Sequence, residues 1–180
     1  MTKSIVAFAG STSSTSINRR LVLYTLREFK EYSVQILDLN NFEMPLYSAD
    51  REKMIGIPAQ AYAFREHMMQ SDGIVCSLAE HNRSYTAAFK NVLDWCSRVD
   101  MNIYANKPML LMSTSPGKLG GQGVLEIAKA YFPRCGAQIA ATFSLPLFHQ
   151  NFGENGILEQ TLRTDHTAAV QRFRQSVESA

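Results

Sequence analysis

Five times along the 180-residue chain, a short apolar run gives way to a longer stretch with apolar residues at helical spacing. This alternation restricts the fold more than any other feature. The runs are SIVAFA (residues 4–9), VQILDL (34–39), GIVCSL (73–78), MLLMS (109–113) and QIAATF (138–143). Each has the length and the β-branched or aliphatic content of a buried strand. The helical stretches are 17–31, with Ser16 as its N-cap, then 59–70, 85–98, 123–135 and 157–177. Strands that are continuously apolar, rather than alternating, need cover on both faces, so the expectation is an α/β fold with a five-stranded parallel sheet between two helical layers. Residues 47–58 are expected to form a long connecting loop. With no internal repeat, low-complexity tract or linker, residues 1–180 read as a single domain.

Composition narrows the function. A net charge of +2 is spread over both signs without a basic block, which argues against a nucleic-acid partner, and no apolar run approaches membrane-spanning length. The apolar segment near the N-terminus is too short for a signal-peptide core, so a cytoplasmic protein is expected. Cys76, Cys96 and Cys135 are odd in number and widely spaced, and the four histidines are scattered, so neither a disulfide framework nor a metal site is visible. Cys76, inside GIVCSL, reads as a small buried hydrophobe rather than a nucleophile.

In an open parallel sheet, ligands collect beyond the carboxyl ends of the strands. The loops at that rim are GSTSSTSIN (10–18), LAEHNRSYT (78–86) and STSPGKLGGQG (113–123), all rich in hydroxyls, amides or glycine. The first runs from a strand through Gly10 and a series of serines and threonines into a helix starting near Ile17. That arrangement gathers backbone N–H groups, hydroxyls and a helix N-terminus around one point, which suits a phosphate without requiring a basic side chain. A dinucleotide loop would need GxGxxG, and this loop has only Gly10; Asp38 then reads as a strand-end residue rather than a ribose ligand. A P-loop is excluded because the one Gly-Lys pair, Gly117 and Lys118, precedes Leu119. Taken alone, the loop is equally readable as a serine-rich turn without a ligand.

The three loops in order resemble the NADPH-dependent FMN reductase family. Gly10, Ser11, Ser16, Asn18 and Leu21 match its first motif, G-S-x-R-x-x-S-x-N-x-x-L, with Ser13 standing where the family has arginine. Glu80, Asn82, Ser84, Lys90, Asn91, Asp94 and Trp95 match P-E-Y-N-x-S-x-P-x-x-L-K-N-x-x-D-W, with Ala79 and His81 in place of the family's Pro and Tyr. The third motif, S-T-S-P-G-x-x-G-G, is complete from Ser113 to Gly121. The resemblance implies a flavodoxin-like three-layer sandwich with strand order 2-1-3-4-5. It also implies FMN as cofactor, NADPH or NADH as electron donor, and hydride transfer through flavin N5 to a flavin, quinone or similar small-molecule acceptor.

The cofactor-binding residues it implies are Gly10, Ser11, Ser13, Ser16, Ile17 and Asn18 around the phosphate, with Ala79, Glu80, His81 and Asn82 along the ring. Ser115, Pro116, Gly117 and Gly120 fall at the pyrimidine side. No protein nucleophile is needed, because the flavin carries the chemistry. His81 reads either as a proton donor to the acceptor or as a packing residue, and Arg83 either as a partner for a nicotinamide-cofactor phosphate or as a solvated loop residue. Trp95 reads as core or interface, and Lys90 with Asp94 as an intrahelical pair. A homodimer or homotetramer is implied. The alternative is an FMN-binding electron shuttle of the flavodoxin type, although those proteins are acidic and carry T-x-T-G-x-T in the first loop. Loss of FMN binding on a retained fold is a third reading.

Overall fold

The computed structural model describes residues 2–180. Nine strands alternate with seven helices. The strands are β1 (Ser4–Ala9), β2 (Ser33–Leu37), β3 (Gly73–Leu78), β4 (Glu80–His81), β5 (Ser84–Tyr85), β6 (Lys107–Thr114), β7 (Ala137–Leu145), β8 (Phe152–Gly153) and β9 (Gly156–Ile157). The helices are α1 (Ile17–Thr25), α2 (Ala49–Ile55), α3 (Ala59–Gln70), α4 (Ala87–Val99), α5 (Gln122–Tyr131), α6 (Phe148–Asn151) and α7 (Gln160–Ser179). Five strands form one parallel sheet in the order β2-β1-β3-β6-β7, while β4–β5 and β8–β9 are small antiparallel hairpins. With the hairpins set aside, this is the 2-1-3-4-5 order of a flavodoxin-like sheet. The chain steps outward from β1 to β2 and then returns to β3 on the other side, so the order reverses between β1 and β3.

Successive residues of one strand enter opposite cores. Ile5, Ala7 and Val75 pack with Leu21, Val22 and Phe173 from α1 and α7. Val6, Phe8, Ile74 and Cys76 pack with Phe64, Phe89 and Trp95 from α3 and α4. A strand buried on both sides has no polar face to show, which is why these segments read as unbroken apolar runs. The exceptions are the two edge strands: Ser33, Gln35 and Ile36 are exposed in β2, and Gln138 and Thr142 in β7.

Several boundaries differ from the sequence reading, each for a local reason. The second strand ends at Leu37, because the Asp38 carboxylate accepts from the Asn40 N–H at 2.9 Å and turns the chain into a 3-10 helix, Leu39–Phe42. The first helix stops being α-helical at Thr25 and ends in one 3-10 turn, so Lys30 and Glu31 lie outside it. The expected loop at 47–58 holds a helix instead: α2 starts where Ser48 Oγ accepts from Arg51 N at 3.2 Å and ends before Gly56 at φ +72°. Tyr85 belongs to β5, and Thr86 caps α4. Helix α5 gives way at Phe132–Cys135 to a 3-10 turn. The last helix begins at Gln160, capped by Glu159, with Ile157 in a hairpin.

Candidate functional site

Beyond the carboxyl ends of β1, β3 and β6, three loops are tied into one rim. The Gly10 N–H donates to the Ser77 carbonyl at 2.9 Å, continuing the β1–β3 ladder, and the Gly10 carbonyl accepts from Thr86 Oγ1 at 2.9 Å. A Cβ at Gly10 would stand 3.1 Å from Leu78 Cδ2, so the closeness of the first two loops depends on its absence.

Three hydroxyls between Ser11 and Ser16 accept from backbone donors, and Ser13 Oγ also lies 3.3 Å from Thr15 Oγ1. Ser11 Oγ accepts from Ser13 N at 3.2 Å, Ser13 Oγ from Thr15 N at 3.3 Å, and Ser16 Oγ from Arg19 N at 3.2 Å. A hydroxyl held through its lone pair retains its own hydrogen to donate. The N–H groups of Ile17 and Asn18, in the first turn of α1, meet no protein acceptor among the described residues. Free N–H groups at a helix N-terminus beside oriented hydroxyls form an anion cradle, and the residues present fit a phosphomonoester. Nearby, Asp38 is held below the usual carboxylate range, chiefly by the backbone and side-chain N–H groups of Asn40, with a smaller contribution from Arg19. It serves as a cap rather than facing the cradle.

Asn18 does more than contribute an N–H. Its side chain is 2% exposed. Oδ1 accepts from Ser77 Oγ at 2.7 Å and from Thr114 N at 3.0 Å, while Nδ2 donates to the Thr114 carbonyl at 3.1 Å. The amide thus joins the start of α1 to the ends of β3 and β6, committing both lone pairs of Oδ1 and one of the two Nδ2 hydrogens to that task. Ser77 and Thr114 were not among the sequence candidates; for Ser77 the signal was a hydroxyl at the end of an otherwise apolar strand, which requires a buried partner, whereas Thr114 meets Asn18 through its backbone and its hydroxyl donates to the Leu145 carbonyl at 2.7 Å.

The second loop is a hairpin. β4 and β5 pair Glu80 with Tyr85 and His81 with Ser84, leaving a two-residue turn in which Asn82 and Arg83 have φ of +51° and +64°. Glu80 reaches sideways: Oε2 accepts from Val124 N at 2.8 Å in the first turn of α5, where a carboxylate also complements the helix dipole. His81, Asn82 and Arg83 are exposed, and Ala79 is half-buried.

In the third loop, Gly120 is buried at φ +59°. Its Cβ would lie 2.3 Å from Ser144 Oγ and 2.9 Å from Pro146 N, and its carbonyl accepts from Ser113 Oγ at 2.7 Å and Ser144 Oγ at 3.0 Å. The close approach that this glycine permits is therefore to the β7 exit. Gly117, by contrast, is exposed: a Cβ there would meet only Ser115 Oγ at 3.8 Å, and its N–H has no protein acceptor among the described residues. Ser115 is half-buried and Pro116 exposed.

Other sequence candidates fall inside the fold. Trp95 is fully buried, donating Nε1–H to the Pro45 carbonyl at 2.7 Å, with Tyr47 edge-on at 5.1 Å. Lys90 and Asp94 pair at 2.5 Å on α4. Burial pushes the Cys76 thiol far up. A cavity of about 370 Å³ lies beside the cradle, sharing only Thr12 with the first loop; its walls are Leu39, Phe42, Met44, Leu46 and Ala87 among others.

A doubly wound parallel sheet with an anion cradle at its switch point and two more loops converging on it defines a flavodoxin-like mononucleotide-binding protein. The chain belongs to the NADPH-dependent FMN reductase family, whose sequence profile it matches over residues 4–151. It is 35% identical over 118 residues to a quinone reductase of Escherichia coli (strain K12), and 33% identical over 120 residues to the NADPH:quinone oxidoreductase of Arabidopsis thaliana. These matches cover 65% and 66% of this chain and 62% and 61% of the relatives, so it spans less than two thirds of their length. Among solved structures, FerB, an NAD(P)H:(acceptor) oxidoreductase from Paracoccus denitrificans, superposes with a TM-score of 0.78 at 21% identity, covering 98% of both chains.

Proposed function

We propose that residues 1–180 act as one FMN-binding domain of an NAD(P)H-dependent oxidoreductase whose acceptor is a quinone, a flavin or a similar small molecule. The observation that carries this reading is the joining of the first loop to the ends of β3 and β6 by one buried amide and to the second loop through Thr86, with an anion cradle on one side and the open face of Gly117 on the other. FMN bound there would supply the hydride-transfer chemistry between the nicotinamide and the acceptor. The rest of the task belongs to the chain. The N–H groups of Ile17 and Asn18 and the hydroxyls of Ser11, Ser13 and Ser16 hold the phosphate. Ala79, Glu80, His81 and Asn82 border the ring, mainly through backbone, while Ser115, Pro116 and Gly117 border its pyrimidine side and Gly120 holds that loop against β7. His81, exposed on the hairpin, is the candidate proton donor to the reduced acceptor.

The cradle accommodates one phosphate and lacks the glycines that a pyrophosphate needs, which favours FMN over FAD. The quinone acceptor is supported by the names of the E. coli and Arabidopsis relatives. A homodimer or homotetramer is the assembly that would bound the open side of the ring. Exposed Leu46, Met54 and Ile55 supply apolar surface for it. No helix among the described residues is long and apolar enough to cross a membrane, and we place the protein in the cytoplasm.

The test is direct. Purified protein should be yellow, release FMN on heating and oxidise NADPH in the presence of a quinone. FAD in the supernatant, or a colourless protein that does not take up added FMN, would overturn the reading. Light scattering should give a mass of twice or four times the 20.2 kDa chain.

A further inference from the structure

We propose that Arg83, at the tip of the β4–β5 hairpin, binds a phosphate of the nicotinamide dinucleotide and so sets the affinity for the electron donor. This rests on the function proposed above and assigns the residue that captures its reductant.

Three observations point to Arg83. First, the turn has the geometry of a tight hairpin in which both central residues take positive φ, +51° at Asn82 and +64° at Arg83. The turn demands this conformation at both positions; asparagine suits the first and glycine the second, so arginine at the second carries a steric penalty that glycine would not. Second, the tip is braced rather than loose. Glu80 at its base is bound to Val124 N at 2.8 Å, and the tip's back rests on α5, where a Cβ on Gly123 would stand 3.3 Å from both Cβ and the carbonyl oxygen of Arg83. Third, the guanidinium is uncommitted. Arg83 is exposed and has neither a carboxylate partner nor a side-chain hydrogen bond among the described residues, a state it shares with Arg19, Arg134 and Arg172, none of which lies on the hairpin or the third loop.

A braced stem with an unpaired planar fork suits a phosphate that arrives from solvent, since two N–H groups can meet two of its oxygens at once. The flavin phosphate is not the partner, because its cradle lies at the β1 end of the rim, whereas the hairpin leans on α5 beside the third loop.

The conformation also supplies a clean perturbation. Glycine is the residue that φ +64° favours, so Arg83→Gly removes the cation while preserving the turn. In the holoprotein, this variant should raise the KM for NADPH about tenfold, as expected for the loss of a charge-assisted contact. Its kcat, its FMN Kd and its KM for the quinone should be unchanged, and the added-salt dependence of kcat/KM for NADPH should flatten. Arg83→Lys should recover part of the loss. Titration with NADP+, followed by flavin fluorescence, should show the same weakening without turnover.

An equal loss with NADH identifies the shared pyrophosphate, and a loss confined to NADPH the 2′-phosphate; either supports the proposal. Unchanged KM and NADP+ affinity overturns it, as does an FMN Kd that rises in step. The proposal is equally overturned if Lys118→Ala, on the neighbouring loop, produces the loss and Arg83→Gly does not. A wild-type protein that binds neither FMN nor NADP+ overturns the functional reading as well, so the two failures are distinguishable.

Discussion

Replacing Asn18 with alanine separates two roles that the first loop combines. The side chain accepts from Ser77 Oγ and Thr114 N and donates to the Thr114 carbonyl, all in a site 2% exposed. Truncation leaves the Thr114 N–H and C=O without partners, while the Ser77 hydroxyl can rotate to seek another. An orphaned buried polar group costs about 1–3 kcal/mol, so the two backbone groups imply a loss of about 2–6 kcal/mol, nearer the lower figure if water enters the vacated space. The measurement is urea denaturation of the FMN-free protein, where the midpoint should fall at unchanged slope. Asn18→Asp sharpens the test: it preserves shape and one acceptor but sets an oxygen opposite the Thr114 carbonyl, so it should also destabilise the protein near neutral pH. Ser11→Ala is the contrast, weakening FMN binding by about 1–3 kcal/mol with the apoprotein midpoint unmoved. An Asn18→Ala apoprotein of wild-type stability whose FMN affinity alone had dropped would refute the reasoning, because the amide would then face the phosphate and not the strands.

The two glycines of the third loop should behave oppositely. Gly120→Ala, at φ +59° and against Ser144 Oγ and the Pro146 backbone, should destabilise the apoprotein by about 2–4 kcal/mol in the same denaturation assay, whereas Gly117→Ala should leave it within about 0.5 kcal/mol. His166 is 2% exposed, with Nε2 2.8 Å from Thr25 Oγ1, and burial lowers its pKa from 6.5 to about 4. Since the unfolded chain takes up the proton first, the associated stability is complete above about pH 6.5 and is lost as pH falls towards 4, about 3 kcal/mol in all. The stability difference between wild type and His166→Gln, followed from pH 7 to 4, should shrink by about that amount, and a constant difference would contradict it. All three cysteines are buried, and burial is the main force raising each thiol's pKa, so a thiol reagent should label none in the native protein and three after unfolding.

What the sequence determined by itself was whatever depends on neighbours along the chain. The five apolar runs marked the five strands of the sheet, because β1, β3 and β6 are covered on both sides and the edge strands β2 and β7 still pack residues such as Leu37 and Phe143 against the helices. Ser16 marked the start of α1, because capping involves only a residue three places on. The cradle was legible for the same reason: its donors come from one continuous stretch. The helix at Ala49–Ile55 had a local cap in Ser48 but only seven residues, three of them exposed apolar or uncharged side chains with no stripe to read, and it passed for loop.

Only the tertiary structure decided which polar groups hold the rim together and which are left without a protein partner. Asn18 stands 59 residues from Ser77 and 96 from Thr114, and Glu80 stands 44 from Val124. An amide or carboxylate in a motif shows what it can bond, not what will lie beside it. The hairpin at Glu80–Tyr85 was hidden because its turn lacks the glycine that announces such turns, and the sheet brought α5 to its back. A buried hydrogen-bonding group is satisfied by whatever the packing places within about 3 Å of it, and that distance is set by strand order, which no stretch of a dozen residues contains.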